Sequence, residues 1–351
     1  MTLSVAILGA GIGREHYAAY LKLPNLFKVL HIVDTDVERA RSVAGSAPVN
    51  ISPDIDTALN DPRVDIIDVC LPPHLHVPIS LRALDAGKDV ICEKPIATSL
   101  SDVHSLVAAC QRTGKTVYPV FQYRWGPAHA QLRHLIATGA AGAPQAASIE
   151  THWSRGADYY AVPWRGTWAG EQGGAVLGHA IHNHDLLTHF MGPVRNLSAV
   201  LTTRVNPIET EDCAAISFEM ESGAVATSSI TLGAARDETR LRFVFEHLTA
   251  TSGANPYAPG NDAWIFTARD PANQDHIDKI VSGTIPEPVG FVGFLTEIAK
   301  HQADQNNSHV SLDDGRASIE LVTAIYHASR AGVRVSLPLP HDHPLTEGWQ
   351  P

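Results

Sequence analysis

An apolar run at residues 3–8 passes directly into Gly9-Ala10-Gly11-Ile12-Gly13. Residues 14–23 then take helical spacing up to Pro24, and a second apolar run, 27–33, ends on Asp34. Strand, glycine turn, helix, strand and acid, in that order, are the parts of a dinucleotide-binding βαβ unit. Glycines let backbone amides approach a pyrophosphate, and the dipole at the helix start favours its charge. Asp34 lies 25 residues after Gly9, near the spacing of about 20 expected for the acid that holds the adenosine ribose. A carboxylate there repels a 2′-phosphate, and Thr35-Asp36-Val37 follows with no Arg or Lys, so NAD is favoured over NADP. The expected cofactor contacts on this turn are Gly9, Gly11, Ile12, Gly13 and Asp34. The usual Gly-x-Gly-x-x-Gly would place a third glycine where Arg14 stands. Either the turn is one residue shorter, or Gly13 does the same packing job in another register.

The alternation continues. Residues 54–59 read as a short helix and 64–70 as a buried strand. Leu71-Pro72-Pro73-His74-Leu75-His76 then opens a helix to about residue 86, followed by a strand at 88–92, a helix at 101–113 and a strand at 116–121. Repeated βα units force parallel pairing and right-handed crossovers. The first domain is therefore expected over residues 1–122, as a doubly wound α/β sheet. Its strand at 89–92 ends in Cys92-Glu93-Lys94-Pro95. Ligands of open α/β sheets sit beyond the carboxyl ends of strands, where a lysine can meet a substrate hydroxyl. Pro95 fixes its own φ and biases Lys94 toward extended backbone. A solvated loop lysine is the competing reading; the glycine turn and residues 173–185 count against it.

With 351 residues the chain is long enough for two domains. The formal net charge of −11 argues against nonspecific nucleic-acid binding, which needs a basic surface. No apolar run reaches the roughly 18 residues of a membrane span, and the N-terminus has no basic lead, so a secretory signal is not expected. Cys70, Cys92, Cys110 and Cys213 lack metal-ligand spacing and are expected to be buried reduced thiols of a cytoplasmic protein.

The second domain is expected over residues 123–351. Residues 127–138 are helical and stop at Gly139-Ala140-Ala141-Gly142. Alternating runs follow at 145–153, 194–205, 212–220, 224–232, 241–246 and 263–267, which points to a large, mostly antiparallel sheet in an α+β domain. Glu221-Ser222-Gly223 reads as a hairpin turn. Helices are expected at 289–305 and 313–331, a loop at 253–262, and a polar tail at 341–351 that is ordered only against a neighbour. There are no internal repeats.

Two segments of this domain carry chemistry. The first is Gly173-Gly174-Ala175-Val176-Leu177-Gly178-His179-Ala180-Ile181-His182-Asn183-His184-Asp185. From about His179 it reads as a helix, with His179 and His182 on one side and Asp185 placed to hold the His182 ring. These are either satisfied structural histidines, metal ligands, or acid/base groups serving a bound substrate. Because His184 faces away and no second ligand cluster is evident, no metal is expected. The second segment, 153–168, gathers aromatics, two arginines and an acid. Arg155, Asp158, Tyr160, Trp164 and Arg165 are its candidate specificity residues, since sugars offer apolar faces for stacking and hydroxyls for charged groups. An aromatic packing loop at a domain or subunit boundary is the competing account.

The glycine turn, Leu71-Pro72-Pro73-His74-Leu75-His76, Glu93-Lys94-Pro95 and the 173–185 segment, in this order, resemble the Gfo/Idh/MocA family of oxidoreductases over nearly the whole chain. The resemblance implies an N-terminal Rossmann domain and a C-terminal α+β domain with a large open sheet. It also implies bound NAD or NADP, homodimers or homotetramers formed through that sheet, and sugar or cyclitol substrates. By position Lys94 matches the family's catalytic lysine and His182 its catalytic histidine. Leu71, Pro72, Pro73, His76, Glu93 and Lys94 are placed with the cofactor, and Arg124 and His179 with the substrate. The family often carries an aspartate four residues before the histidine; here that place is Gly178, and His179 is positioned to fill it. The implied activity is NAD-dependent hydride transfer to or from a secondary hydroxyl of a sugar, glycoside or cyclitol. The alternative is an NAD-dependent glycoside hydrolase that oxidises transiently, eliminates and recycles its cofactor. A non-catalytic sensor on the same scaffold is disfavoured by the retention of both Lys94 and His182.

Overall fold

Six short segments pair in parallel in the order β3-β2-β1-β4-β5-β6 in the computed structural model, which describes residues 2–305 and 309–351. Met1, included in the expected first domain, lies outside the described residues. The strands are β1 (Leu3–Leu8), β2 (Phe27–Val33), β3 (Asn50–Ser52), β4 (Ile66–Val69), β5 (Asp89–Cys92) and β6 (Val117–Pro119). The intervening helices are α1 (Gly13–Tyr20), α2 (Val37–Ala44), α3 (Asp56–Leu59), α4 (Pro73–Asp85) and α5 (Leu100–Thr113). Every residue of β4 and β5 is buried, as a parallel sheet covered on both faces requires. Local signals set the helix ends. Asp36 accepts the Arg39 amide at the start of α2 and Ser99 accepts the Asp102 amide at the start of α5. Left-handed Gly114 ends α5. The strand order is that of the dinucleotide-binding fold. β3 and α2 were not among the expected elements; three residues of strand are too few for a period of two to register.

The chain divides into two compact units. One comprises the residues up to Phe121 together with Phe291–Ile319, the other Gln122–Gly290 together with Glu320–Pro351.

The second unit is built on an eight-stranded sheet in the order β13-β12-β11-β7-β10-β9-β8-β14. Its strands are β7 (Pro144–Ser154), β8 (Val194–Thr202), β9 (Cys213–Met220), β10 (Val225–Thr231), β11 (Gly233–Phe245), β12 (Leu248–Thr251), β13 (Ile265–Ala268) and β14 (Val335–Ser336). β7 and β10 pair in parallel and the other described pairs are antiparallel, so the sheet is mixed and mostly antiparallel. The strand expected at 241–246 begins earlier, at Gly233. Charged Asp237, Glu238 and Arg240 break the apolar alternation there, and only Leu241, Phe243 and Phe245 show it. The expected hairpin joins β9 to β10, with Gly223 at φ 87°.

The remaining helices are α6 (Pro127–Ala137), α7 (Ala157–Tyr160), α8 (Trp168–Glu171), α9 (Ile181–Met191), α10 (Gln274–Gly283), α11 (Gly290–Ala303) and α12 (Leu312–Ala331). Helix α9 is buried along the sheet. Asn183 Nδ2 donates to Thr151 Oγ1 on β7 at 2.7 Å, and His184 Nε2 meets Ser228 Oγ on β10 at 3.0 Å.

Two expectations need correction. The tail is held by its own chain: Trp349 is 1% exposed, stacks on Tyr326 with centroids 5.5 Å apart, and donates Nε1–H to the Gln172 carbonyl at 2.7 Å. Its single large apolar ring supplies the burial that the polar tail composition conceals. The cysteines are all free, but only Cys70 and Cys92 are buried; Cys110 and Cys213 are half-buried. Among the described residues no helix is long and apolar enough to cross a membrane.

Candidate active site

The glycine turn is shaped by close approach. Gly9 sits at φ 98°, and a Cβ there would fall 2.4 Å from the Cys70 carbonyl oxygen. Gly13 opens α1, and a Cβ on it would meet Ile7 Cγ2 at 2.8 Å. Gly13 therefore makes the close helix–strand packing one position earlier than the usual motif. A Cβ on Gly11 would meet open space, Ile12 is 43% exposed, and no side chain caps α1. An accessible glycine backbone and an uncapped helix start are what a pyrophosphate needs, so these residues fit NAD.

Asp34 is 7% exposed at the end of β2. It accepts the amides of Ala10 at 2.7 Å and Asp36 at 2.8 Å. Arg39 from α2 reaches back to it bidentately, Nη2 to Oδ1 at 2.7 Å and Nε to Oδ2 at 3.1 Å. Burial works to raise this carboxyl, but the Arg39 guanidinium and the two amides outweigh it and hold it below the usual range. Arg39 is not expected from the sequence, because no Arg or Lys stands directly after Asp34. The Asp36 cap, which starts a helix and turns its first-turn side chains toward Asp34, is the signal that would have found it.

Leu71, His76, Glu93 and Lys94 come together where β4 and β5 end. Pro72 precedes α4 and Pro73 takes its first position, where a missing N–H costs nothing. His76, in the first turn, is buried with Nδ1 2.7 Å from the Pro95 carbonyl oxygen and Nε2 2.7 Å from that of Leu71. Burial pulls its pKa down. Glu93 Oε2 accepts the Lys94 amide at 3.0 Å, while Oε1 lies 3.0 Å from His16 Nε2. The other nitrogen of His16 lies 2.9 Å from Asp68 Oδ2, which also accepts the Tyr20 hydroxyl at 2.9 Å. Burial opposes a charged ring at His16, yet the Asp68 carboxylate wins and holds its pKa well above the ordinary value. With carboxylates at both nitrogens, the imidazolium donates to both. His16, Asp68 and Cys70 also stand at metal-ligand spacing, but the two ring N–H groups of His16 already serve Asp68 and Glu93. Apart from Glu93, the His16 network was not legible in the sequence, since its hydrogen-bonded pairs are 48 to 77 residues apart.

In the second unit, a helical run starts at Val176 as a π turn through Ala180 and continues as α9. It begins three residues before the expected start and carries both His179 and His182. His182 stacks on Tyr123, centroids 4.3 Å apart and planes 16° from parallel. Arg124 is buried and pairs bidentately with Asp185, Nε to Oδ2 at 2.8 Å and Nη2 to Oδ1 at 2.6 Å. Asp185, placed in the sequence beside His182, is thus an anchor for Arg124. His184 is a structural histidine on Ser228, and burial lowers its pKa to about 4.

His179 joins the aromatic segment. Its Nε2 lies 3.3 Å from the Tyr159 hydroxyl, and its ring meets the Trp153 ring edge-on at 5.4 Å. Arg155 lies 5.1 Å from the centroids of both Trp153 and Tyr159, and pairs with Asp237 at 2.9 Å. Arg165 covers Tyr159 at 3.9 Å and Trp164 at 4.7 Å. The structure therefore gathers Arg155, Arg165 and His179 around Tyr159, with Trp164 under Arg165. Tyr160 and Arg165 line a cavity of about 670 Å³ with Thr167, Ile208 and Glu209. Asp158 stands exposed. Tyr159, Asp237 and Tyr257, which hydrogen-bonds Arg155 at 3.1 Å, were not among the expected specificity residues.

Residues 3–121 match the family model described as "Oxidoreductase family, NAD-binding Rossmann fold", and residues 129–251 match the GFO/IDH/MocA C-terminal domain. An uncharacterized oxidoreductase of Bacillus subtilis, YrbE, is 30% identical over 227 residues, covering 63% of this chain and 64% of its own. Inositol 2-dehydrogenase 3 of Saccharopolyspora erythraea is 31% identical over 146 residues, 41% of this chain and 43% of its own. The chain thus spans less than two thirds of the length of these curated relatives. The crystal structure of the WlbA dehydrogenase from Bordetella pertussis, in complex with NADH and UDP-GlcNAcA, superposes with a TM-score of 0.84 at 24% identity. That likeness covers 97% of this chain and 100% of the other, and is one of fold. The chain belongs to the GFO/IDH/MocA family of oxidoreductases, with an NAD-binding Rossmann domain at its N-terminus.

Proposed function

We propose that this protein is an NAD-dependent dehydrogenase or reductase acting on a secondary hydroxyl of a sugar, glycoside or cyclitol. The observation that carries the reading is the convergence, at the carboxyl ends of β1, β4 and β5, of the open glycine turn, Leu71, His76 and Lys94. When bound, NAD supplies the hydride acceptor. Gly9, Gly11, Ile12, Gly13 and Asp34 hold its pyrophosphate and adenosine ribose, while Leu71, Pro72, His76 and Glu93 shape the wall beside Lys94. In this reading His182 is the residue assigned to take the hydroxyl proton, and Lys94 the residue assigned to stabilise the developing alkoxide. Tyr123 stacks on His182, and Arg124, paired with Asp185, anchors the helix that carries it. Arg155, Arg165, Trp164 and His179 supply the rings and cations that suit a polyhydroxylated ring, with Tyr160 and Asp158 at the margin. The inositol dehydrogenase among its relatives favours a cyclitol or sugar.

Val200, Val225 and Ile265 stand 66%, 57% and 67% exposed on the second unit's sheet. We read this face as the pairing surface of a cytoplasmic homo-oligomer, checked by its mass in solution.

The test is a panel of sugars, glycosides, sugar acids and cyclitols assayed for NADH absorbance and product mass. Lys94→Ala and His182→Ala are each expected to lower kcat by roughly 10²–10⁴-fold, with NAD affinity near parental in His182→Ala. Near-parental turnover in both variants overturns the reading. Accumulating NADH separates net oxidation from redox-neutral hydrolysis.

A further inference from the structure

The helical run that carries His179 and His182 begins without a side-chain cap of its own. Its first amides are satisfied from elsewhere. Glu211, 35 residues further along the chain, is 5% exposed. Its Oε1 accepts the Val176 amide at 3.0 Å, its Oε2 the Gly174 amide at 3.2 Å, and its own carbonyl the Ala175 amide at 2.8 Å. A Cβ on Gly174 would fall 2.0 Å from the Glu211 carbonyl oxygen, so the two strands of chain touch closely enough to demand glycine. Tyr326 on α12 donates its hydroxyl to the same carboxylate at 2.9 Å. Trp349 stacks on Tyr326, and Trp349 also ties down the Gln172 carbonyl just before the glycines.

We propose that Glu211, backed by Tyr326 and Trp349, is a positioning residue for the proposed base. It fixes the first turn of the histidine-bearing helix, and its charge acts along that helix on His182. The proposal rests on the reading of His182 given above. An anion at a helix start opposes the positive end of the macrodipole. His182 lies six residues beyond Val176, a rise of about 9 Å. At that range, with an effective dielectric near 20, one charge moves a histidine pKa by up to about one unit. His182 itself is stacked on Tyr123 and shares its helix with Asp185, whose carboxylate is paired with Arg124. Arg330, also on α12, lies 5.6 Å from the Tyr326 ring, and Asp212, next to Glu211, turns its carboxylate to the amides of Arg204, Val205 and Asn206. Desolvation raises the Glu211 pKa to about 7, so its charge develops in the range where an imidazole base works.

The experiment is an NMR titration of His182 in histidine-labelled protein, its signal assigned by loss in His182→Gln, alongside the pH dependence of kcat. Glu211→Gln removes the charge and keeps one acceptor. It is expected to lower the His182 pKa by roughly 0.5–1 unit and to move the acid limb of the rate profile down by the same amount, with NAD affinity unchanged. Tyr326→Phe, which leaves the carboxylate less stabilised, is expected to shift it in the same direction by less, and serves if Glu211→Gln does not fold. An unmoved His182 titration in a folded variant overturns the proposal. A shifted titration in a protein that turns over none of the panel instead defeats the dehydrogenase reading and leaves the anchor standing.

Discussion

At the scale of single residues, the proposed role of Asp34 in holding the adenosine ribose has a consequence for Arg39. An ionised carboxylate offers about four acceptor directions. Two amides and the two guanidinium nitrogens of Arg39 take them. A ribose diol must therefore displace Arg39, whose side chain is 50% exposed. Exposed ion pairs are worth about 0–1 kcal/mol, so the displacement weakens NAD binding by no more than about fivefold. A 2′-phosphate would meet Arg39 instead, with a charged hydrogen bond worth about 1.5–3 kcal/mol. Arg39→Ala is therefore expected to tighten NAD up to about fivefold and to weaken NADP about tenfold or more, measured as Kd for both nucleotides. An unchanged ratio of the two would show that Arg39 does not face the ribose.

At the scale of elements, the histidine-bearing helix contains one replaceable weakness. Gly178 lies in its π turn, and a Cβ there meets nothing within 4 Å. Glycine in a helix interior costs roughly 0.5–1 kcal/mol relative to alanine. Gly178→Ala is expected to raise the melting temperature of the second unit by about 2 °C, read by calorimetry; a fall would mean that the open space beside Gly178 closes in solution. The same helix shows where sequence reading succeeds and stops. Its helical spacing, with His179 and His182 on one side, was legible, as were β1, α1, β2 and Asp34. Its start was not, because Val176 is held by Glu211 and Gly173–Gly174 reads as a break. Asp185 was placed correctly on the helix, but its partner Arg124 lies 61 residues away. The His16–Asp68–Glu93 network and the Trp349 latch are of the same kind. Local period reports which way a side chain faces; it carries no information about what arrives opposite.

At the scale of the whole molecule, the buried titratable groups give the two units different responses to pH. In the second unit, burial pushes His129 down to about 3 and His184 to about 4. A histidine whose folded pKa is depressed costs stability once the unfolded chain, titrating near 6.5, begins to take up protons. Glu211 works the other way. Its folded pKa of about 7 exceeds the unfolded value of 4.5, so its contribution is complete below 4.5 and is lost as pH rises through 7. Near pH 5.5 the unfolded unit binds about two more protons at the histidines and about one fewer at Glu211, a net of about one. Stability then rises with pH by about 1.4 kcal/mol per unit and levels off near neutrality. In the first unit, His16 has a folded pKa raised by Asp68. Its stabilisation is complete below 6.5 and is lost as pH climbs through that raised value. All six tryptophans of the chain lie in the second unit, so their fluorescence follows that unit alone, while NADH binding follows the first. Urea titrations from pH 5 to 9 are expected to show tryptophan midpoints that climb to about pH 7 and then hold, and an NADH-binding midpoint that declines above neutrality. His16→Asn is expected to abolish that alkaline decline without altering the tryptophan curve. A decline that survives the substitution would mean that the stabilisation does not come from a protonated His16 between Asp68 and Glu93.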